Sequence, residues 1–173
     1  MISRRVFLKT LLTAAVCYPF KSAFAYQGKE RLLNMYNIHT DERFSEVYFA
    51  SGAYNQDAID HINYFLRCHY TNKIVPIDIR VIDLLCDIKD KCGRNREITI
   101  ISGYRSLVYN NLLRRQGHHV SKNSLHLQGR AIDFTIEGIS NRKLARIAKT
   151  FEAGGVGTYH EFVHIDDGDV RYW

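Results

Sequence analysis

The ten residues Ser124-Leu-His-Leu-Gln-Gly-Arg-Ala-Ile-Asp133 decide how this chain is read. They set an imidazole, His126, seven positions before a carboxylate, Asp133, with Gly129 between them. On a continuous helix the two side chains would share a face but stand roughly 10 Å apart along the axis, too far to hold one ion. On a continuous strand the odd offset sends them to opposite faces. A loop that turns at Gly129 and enters a strand at Ala131 brings both heads to one point. Ala131, Ile132 and Phe134 make that strand apolar, and an unpaired carboxylate among them would be expensive to bury. Asp133 is therefore expected to have a partner. The segment Phe162-Val-His164-Ile-Asp166 offers one, because Val163 and Ile165 turn toward a core and leave His164 on the other face. Two imidazoles and one carboxylate suit zinc and leave a fourth position for water. His126, Asp133 and His164 are expected to hold one Zn2+ ion.

The first 25 residues have a different character. Ser3-Arg4-Arg5-Val6-Phe7-Leu8-Lys9 precedes an apolar run to Phe20 and the small-residue sequence Ala23-Phe24-Ala25. A positive start, an apolar middle and an A-x-A end describe an export signal, and the paired arginines followed by Phe-Leu-Lys indicate the twin-arginine kind. The apolar run is too short for a membrane anchor. Cleavage after Ala25 is expected to leave residues 26–173 as one soluble periplasmic domain with no stable membrane anchor. The signal also explains the charge. The chain carries a net +6, but four basic residues and no acidic ones lie before residue 26, so the remainder carries +2. Nucleic acid is thereby excluded as a partner, since phosphate binding leaves a strongly basic footprint. Cys68, Cys86 and Cys92 follow the signal with neither C-x-x-C nor zinc-finger spacing. One disulfide with a free thiol and three buried apolar thiols are both open.

Between these landmarks the pattern predicts an α+β domain. Residues 31–48 form two strands around Thr40-Asp41-Glu42-Arg43, with Leu32, Tyr36 and Ile38 on one face of the first, and Phe44 and Tyr48 on one face of the second. Asp57 caps a helix that presents Ile59, Ile62, Phe65 and Leu66. Pro76 opens a second helix, with Ile79, Ile82, Leu85 and Ile88 inward, that closes at Gly93. Ile98–Ile101 is a short strand, Ser106 caps a helix to Gln116, and Ala131–Ile136 is another strand. Ser140 caps a helix with Leu144, Ile147, Ala148 and Phe151 on one face. The C-terminal residues read as a hairpin of Gly157-Thr-Tyr, Phe162–Asp166 and Val170–Trp173. The expected whole is an antiparallel sheet carrying the zinc site, with helices packed on one side.

The motif Ser124-x-His126-x-x-Gly129-x-Ala131-x-Asp133 resembles S-x-H-x-x-G-x-A-x-D of the zinc D-Ala-D-Ala peptidase superfamily. The signal, Ser102-Gly-Tyr-Arg-Ser106, Phe162–Asp166 and Val170-Arg-Tyr-Trp173 resemble its murein endopeptidase K branch. That resemblance implies zinc on His126, Asp133 and His164, and the peptide cross-links of peptidoglycan as substrate. It also implies that Arg105 assists the bound substrate, a role suited to a guanidinium facing a carboxylate or an oxyanion. Ser124 is expected to hydrogen-bond substrate near the metal.

Glu161, three residues before His164, matches an E-x-x-H arrangement in which the glutamate is the general base, provided that the chain bends around His160-Glu161. Asp166 shares the His164 face and competes as base or as the group that orients the ligand; His160 is a third candidate. His118 and His119 are expected at a solvent-exposed cleft rim, and Tyr104, Tyr109, Tyr159 and Trp173 along a groove. No Gly-rich phosphate loop, H-E-x-x-H helix or G-x-S-x-G elbow occurs. The activity expected is a metallopeptidase that opens wall cross-links. The alternatives are a non-catalytic wall-binding module and a carboxypeptidase or dipeptidase acting on chain ends.

Overall fold

The computed structural model describes residues 29–118 and 120–173, so the expected export signal and His119 lie outside the described residues. Strands β1 (Arg31–Asn37) and β2 (Glu42–Ala50) form the expected antiparallel hairpin, with Met35 opposite Phe44. Phe44 and Tyr48 face inward as expected, but β1 presents its other face. Leu33, Met35 and Asn37 are buried, whereas Leu32 and Tyr36 are partly exposed and Ile38 is exposed beyond the strand end. Pairing decides this. Strand β1 runs parallel to β4 (Ile98–Ser102), with Met35 opposite Ile98 and Asn37 opposite Ile100, so the odd-numbered residues join the layer of buried isoleucines. Asn37 is tolerated there because its amide donates to the Phe65 carbonyl and accepts from the His39 N–H.

Strand β3 (Ala53–Tyr54) pairs with the end of β2 and leads into α1 (Gln56–Phe65). Asn55, not Asp57, is the cap: its Oδ1 accepts from the Asp57 and Ala58 N–H groups. Asp57 sits in the first turn, where its charge faces the positive end of the helix. Helix α2 (Ile79–Cys92) starts three residues later than Pro76 suggests, with Asp78 as its cap. The residues in between are tied elsewhere. The Ile77 N–H donates to Asn63 Oδ1 (2.8 Å) and the Asp78 N–H to the Gly129 carbonyl (2.9 Å). Ser106 and Ser140 cap α3 (Leu107–Arg115) and α4 (Asn141–Lys149) as expected.

Strands β5 (Ala131–Ile136), β6 (Gly155–Thr158), β7 (Val163–Asp166) and β8 (Arg171–Tyr172) complete a sheet of order β3-β2-β1-β4-β5-β7-β6-β8. The sheet is mostly antiparallel rather than wholly so: β1–β4 and β6–β8 are parallel pairs. The β6–β7 hairpin forms, but β8 does not extend it in sequence order. Both edges of β7 are already paired, with β5 and β6, so the returning chain takes the free edge of β6.

Helices α1, α2 and α4 lie on one face. There Ile62, Phe65, Leu85, Ile88, Leu144 and Ala148 pack against Met35, Ile98, Ile132, Phe134, Val163 and Ile165. Each such side chain contributes about 1.5–3 kcal/mol on burial. By strand alternation, Asp133, His164 and Asp166 belong to the opposite face. Cys68, Cys86 and Cys92 are unpaired; the first two are buried in the core.

A forked ion pair ties β2 to the end of α1: Arg67 Nη1 and Nη2 donate to Glu42 Oε2 and Oε1 at 2.8 and 3.0 Å. These bonds, the largest influence, hold the Glu42 carboxyl below its ordinary range. A depressed carboxyl contributes stability above its unfolded value, and loses it as pH falls through the folded one. Glu42→Gln is expected to cost about 1 kcal/mol at pH 7. The deficit should shrink on acidification below about pH 4; urea melts at pH 7 and pH 3 check this.

Candidate metal centre

Strands β5 and β7 place Asp133 directly opposite His164, which brings their Cβ atoms to about 5 Å on the face opposite α1, α2 and α4. His126 arrives from a single 3-10 turn (Leu125–Gln128), followed by Gly129 in the left-handed conformation (φ 68°). A Cβ at Gly129 would stand 2.4 Å from the Pro76 carbonyl oxygen, so only glycine makes this turn against the segment before α2. The expected bend at Gly129 is therefore present, and it folds His126 back over β5.

Three donor atoms converge. His164 Nδ1 lies 2.8 Å from Asp133 Oδ1, His126 Nε2 lies 3.2 Å from the same oxygen, and the two ring nitrogens are 3.2 Å apart. The other ends of both rings are held. His126 Nδ1 donates to the Gly103 carbonyl (2.7 Å), which leaves Nε2 with its lone pair toward Asp133. His164 Nε2 donates to Asp166 Oδ2 (3.0 Å), which leaves Nδ1 facing the same point. Asp133 Oδ2 accepts from Arg105 Nη2 (3.2 Å), which turns Oδ1 inward.

Three lone-pair-bearing atoms so close together repel one another unless a cation lies among them. Tetrahedral ligation at 2.0–2.2 Å needs donors about 3.3–3.6 Å apart, a few tenths of an ångström wider than this triangle. The residues therefore fit a zinc ion in donor type, tautomer and spacing.

Electrostatics express the same demand. Burial pushes the His164 imidazole down, yet hydrogen bonds to Asp133 and Asp166 outweigh it and raise the group to about 9. Burial keeps His126 below its ordinary value despite Asp133. Burial would raise Asp133, but the two histidines hold it well below the carboxylate range. Asp166 follows the same balance: burial opposes its charge, and bonds from His164 and the Gly168 and Gly155 N–H groups bring it to about 2. Arg171 adds a fork onto the two Asp166 oxygens (2.7 and 3.2 Å). Asp166 is fully buried and thoroughly engaged.

The cleft over these residues has a volume of about 620 Å3 and is also lined by Arg105, His118, Ser124, Tyr159, Phe162 and Trp173. Arg105 is buried, with Nη2 on Ser102 Oγ as well as Asp133, and its Nε is without a partner among the described residues. Ser124 stands at the start of the 3-10 turn, and its side chain makes no capping bond. His118 lines the cleft and is exposed, as expected.

Glu161 and His160 are not brought to the ligands. The chain bends there, but the Tyr159 N–H bonds the Phe162 carbonyl (3.1 Å) and closes a tight turn. That turn sends Tyr159 and Phe162 into the cleft and leaves residues 160 and 161 exposed at its tip. Of the expected groove aromatics, Tyr159 and Trp173 line the cleft, whereas Tyr104 is buried in the core and Tyr109 stacks on Tyr70. The Gly103 carbonyl, Phe162 and Arg171 also belong to the site, although residue type and spacing assigned them no role. A backbone acceptor leaves no trace in residue type, and Arg171 carried only its place in the resembling C-terminal motif.

The chain as a whole is similar to known proteins. The sequence model of the family described as peptidoglycan L,D-endopeptidase MepK matches residues 25–173. Over 147 residues the chain is 39% identical to peptidoglycan L,D-endopeptidase MepK of Escherichia coli K12, covering 84% of this chain and 81% of that protein. The protein of that name from Shigella flexneri matches equally, at 39% over the same shares. The probable peptidoglycan L,D-endopeptidase MepK of Haemophilus influenzae is 37% identical over 148 residues, covering 84% of this chain and 80% of that protein. With a family match over nearly the whole chain and relatives of this identity and coverage, the chain belongs to the peptidoglycan L,D-endopeptidase MepK family of M15 peptidases.

Proposed function

We propose that this peptidase hydrolyses an L,D peptide bond in the cross-links of peptidoglycan, that it depends on one zinc ion, and that it works in the periplasm after twin-arginine export. The convergence of His126 Nε2, Asp133 Oδ1 and His164 Nδ1 within 3.2 Å of one another carries the reading. The names of the relatives supply the bond and the polymer. The family match spans residues 25–173, and in this reading the mature domain begins at residue 26. No helix among the described residues is long and apolar enough to cross a membrane.

In this reading His126, Asp133 and His164 hold the ion. Bound there, zinc supplies Lewis acidity, bringing the pKa of a water toward about 7 and polarising the scissile carbonyl. Asp166 orients His164 through Nε2, the usual second support of a ligating histidine. Arg105 fixes Asp133 and offers its remaining donors to substrate oxygen that gains charge or to a stem-peptide carboxylate. The Ser124 hydroxyl donates to the substrate backbone. Glu161 is exposed at the tip of the Tyr159–Phe162 turn, and in this reading it is not the base. His118 is a further imidazole among the residues that line the cleft.

Protein spanning residues 26–173 is expected to release muropeptides from purified sacculi, to stop when a chelator is added and to resume with zinc. Mass analysis should show cleavage at internal cross-links; trimming of terminal residues alone would point to a chain-end peptidase. His126→Ala should abolish both stoichiometric zinc and release. Turnover at the wild-type rate in that variant, or binding of sacculi without release by the wild type, sinks the proposal.

Asp166→Asn should weaken zinc binding about 10- to 100-fold in chelator competition. Unchanged affinity would mean that Asp166 does not orient the ligand. Glu161→Gln should keep kcat/KM within about threefold, whereas removal of a true general base costs about 100-fold or more.

A further inference from the structure

Helix α3 buries an amide where the other helices bury hydrocarbon. Leu107 and Val108 are 61% and 64% exposed, and the only buried residue of the helix is Asn110, with no exposure at all. Burying a polar head is unfavourable unless it is hydrogen-bonded, so its partners explain its place. Asn110 Oδ1 accepts from Arg105 Nη1 at 3.5 Å, and Asn110 Nδ2 donates to the Ser121 carbonyl at 3.1 Å.

The chemistry of those two partners dictates the residue type. A guanidinium only donates and a carbonyl only accepts. A side chain that bridges them must carry an acceptor and a donor on one short head, as a primary amide does. Aspartate offers no donor, and leucine, of the same branched shape, offers neither. The partners also fix which way the amide faces, since the turned head would set Nδ2 against the guanidinium and Oδ1 against the carbonyl. The backbone is committed as well: the Asn110 N–H bonds the carbonyl of Ser106, the residue after Arg105, at 2.9 Å.

Arg105 carries its N–H donors in one rigid plane. Nη2 serves Asp133 Oδ2 (3.2 Å) and Ser102 Oγ (3.3 Å), which pins a single corner of that plane. A plane held at one nitrogen can still pivot about it; a bond at Nη1 stops the pivot. On its other side Asn110 holds a wall of the same cleft, since Ser121, Asn123 and Ser124 line it with Arg105 and the Asn123 N–H bonds Ser121 Oγ (3.1 Å). We propose that Asn110 is a positioning residue, which sets the rotation of the Arg105 guanidinium, joins it to the Ser121–Ser124 wall and so keeps its remaining donors in one direction. The inference rests on the substrate role given to Arg105 above.

Guanidinium rotation is read by 15N-NMR of the Arg105 Nη groups, without turnover or added substrate. In zinc-loaded wild-type protein these groups should give separate, slowly exchanging signals. Asn110→Ala should merge the Nη1 signals while zinc affinity stays unchanged. Asn110→Leu keeps the branched shape without the polar bonds and should behave as alanine does, which separates the bond from the packing of α3 and serves if the alanine variant does not fold. Asn110→Asp keeps the acceptor for Arg105 and loses only the donor to Ser121, so it should retain the separate signals.

On sacculi, Asn110→Ala should lower kcat/KM about tenfold. In an Arg105→Lys background, where the planar fork is already gone, the same change should cost less than about twofold. An equal cost in both backgrounds overturns the proposal, because lost packing weakens both alike. So do Nη signals that stay separate in Asn110→Ala and Asn110→Leu, or that merge in Asn110→Asp as they do in alanine. Wild-type protein that releases nothing from sacculi, while the variants change the Nη signals as expected, removes the peptidase reading and upholds the positioning of Arg105.

Discussion

The mutual repulsion of three lone pairs organises the chemistry of this fold. His126 Nε2, Asp133 Oδ1 and His164 Nδ1 face one another at 2.8–3.2 Å because their other ends are anchored to Gly103, Arg105 and Asp166. None can turn away without abandoning a buried hydrogen bond, and each such loss costs about 1–3 kcal/mol. The arrangement is stable only with positive charge at its centre. The raised His164 imidazolium is the form that this demand takes when a proton meets it. A dication meets it better, and the anchors keep the same donors aimed when it binds.

The sheet makes this geometry cheap to hold. Antiparallel pairing gives the Asp133–His164 contact directly, while Ile132, Phe134, Val163 and Ile165 turn the other way into the helix-covered core. Hydrophobic burial on one face thus fixes the candidate ligands on the other. The outer supports come from close backbone approaches: the Gly155 and Gly168 N–H groups on Asp166, the Gly129 turn against Pro76, and the Trp173 indole against Gly157. The second support layer therefore belongs to the loops and the β6–β8 edge rather than to the helices.

Much of this was legible in the residues. Asp133 in an apolar strand announced a partner, the offset from His126 required a turn at Gly129, and the alternation in Val163-His164-Ile165 chose the face of His164. What escaped was set by contacts beyond the local pattern. β1 carries apolar residues on both faces, so its inward face was decided by pairing with β4. Pro76 gave way to Asp78 as the start of α2 because Ile77 and Asp78 are bound to Asn63 and Gly129. Glu161 had the right spacing for a base, but the hydrogen bond between Tyr159 and Phe162 turns it outward. Spacing counts residues; it does not reveal which side of a tight turn faces the cleft. The family match and the relatives agree with the peptidase reading.

The most direct measurement is X-ray absorption at the zinc edge on protein purified without added metal and then loaded with one equivalent. Stoichiometric zinc is expected, with two imidazole nitrogens, one carboxylate oxygen and further light-atom scatterers at about 2.0–2.2 Å. A sulfur shell near 2.3 Å would place the ion on the cysteines. Failure to retain one equivalent would leave the triangle without its cation. Either result would contradict zinc binding by His126, Asp133 and His164.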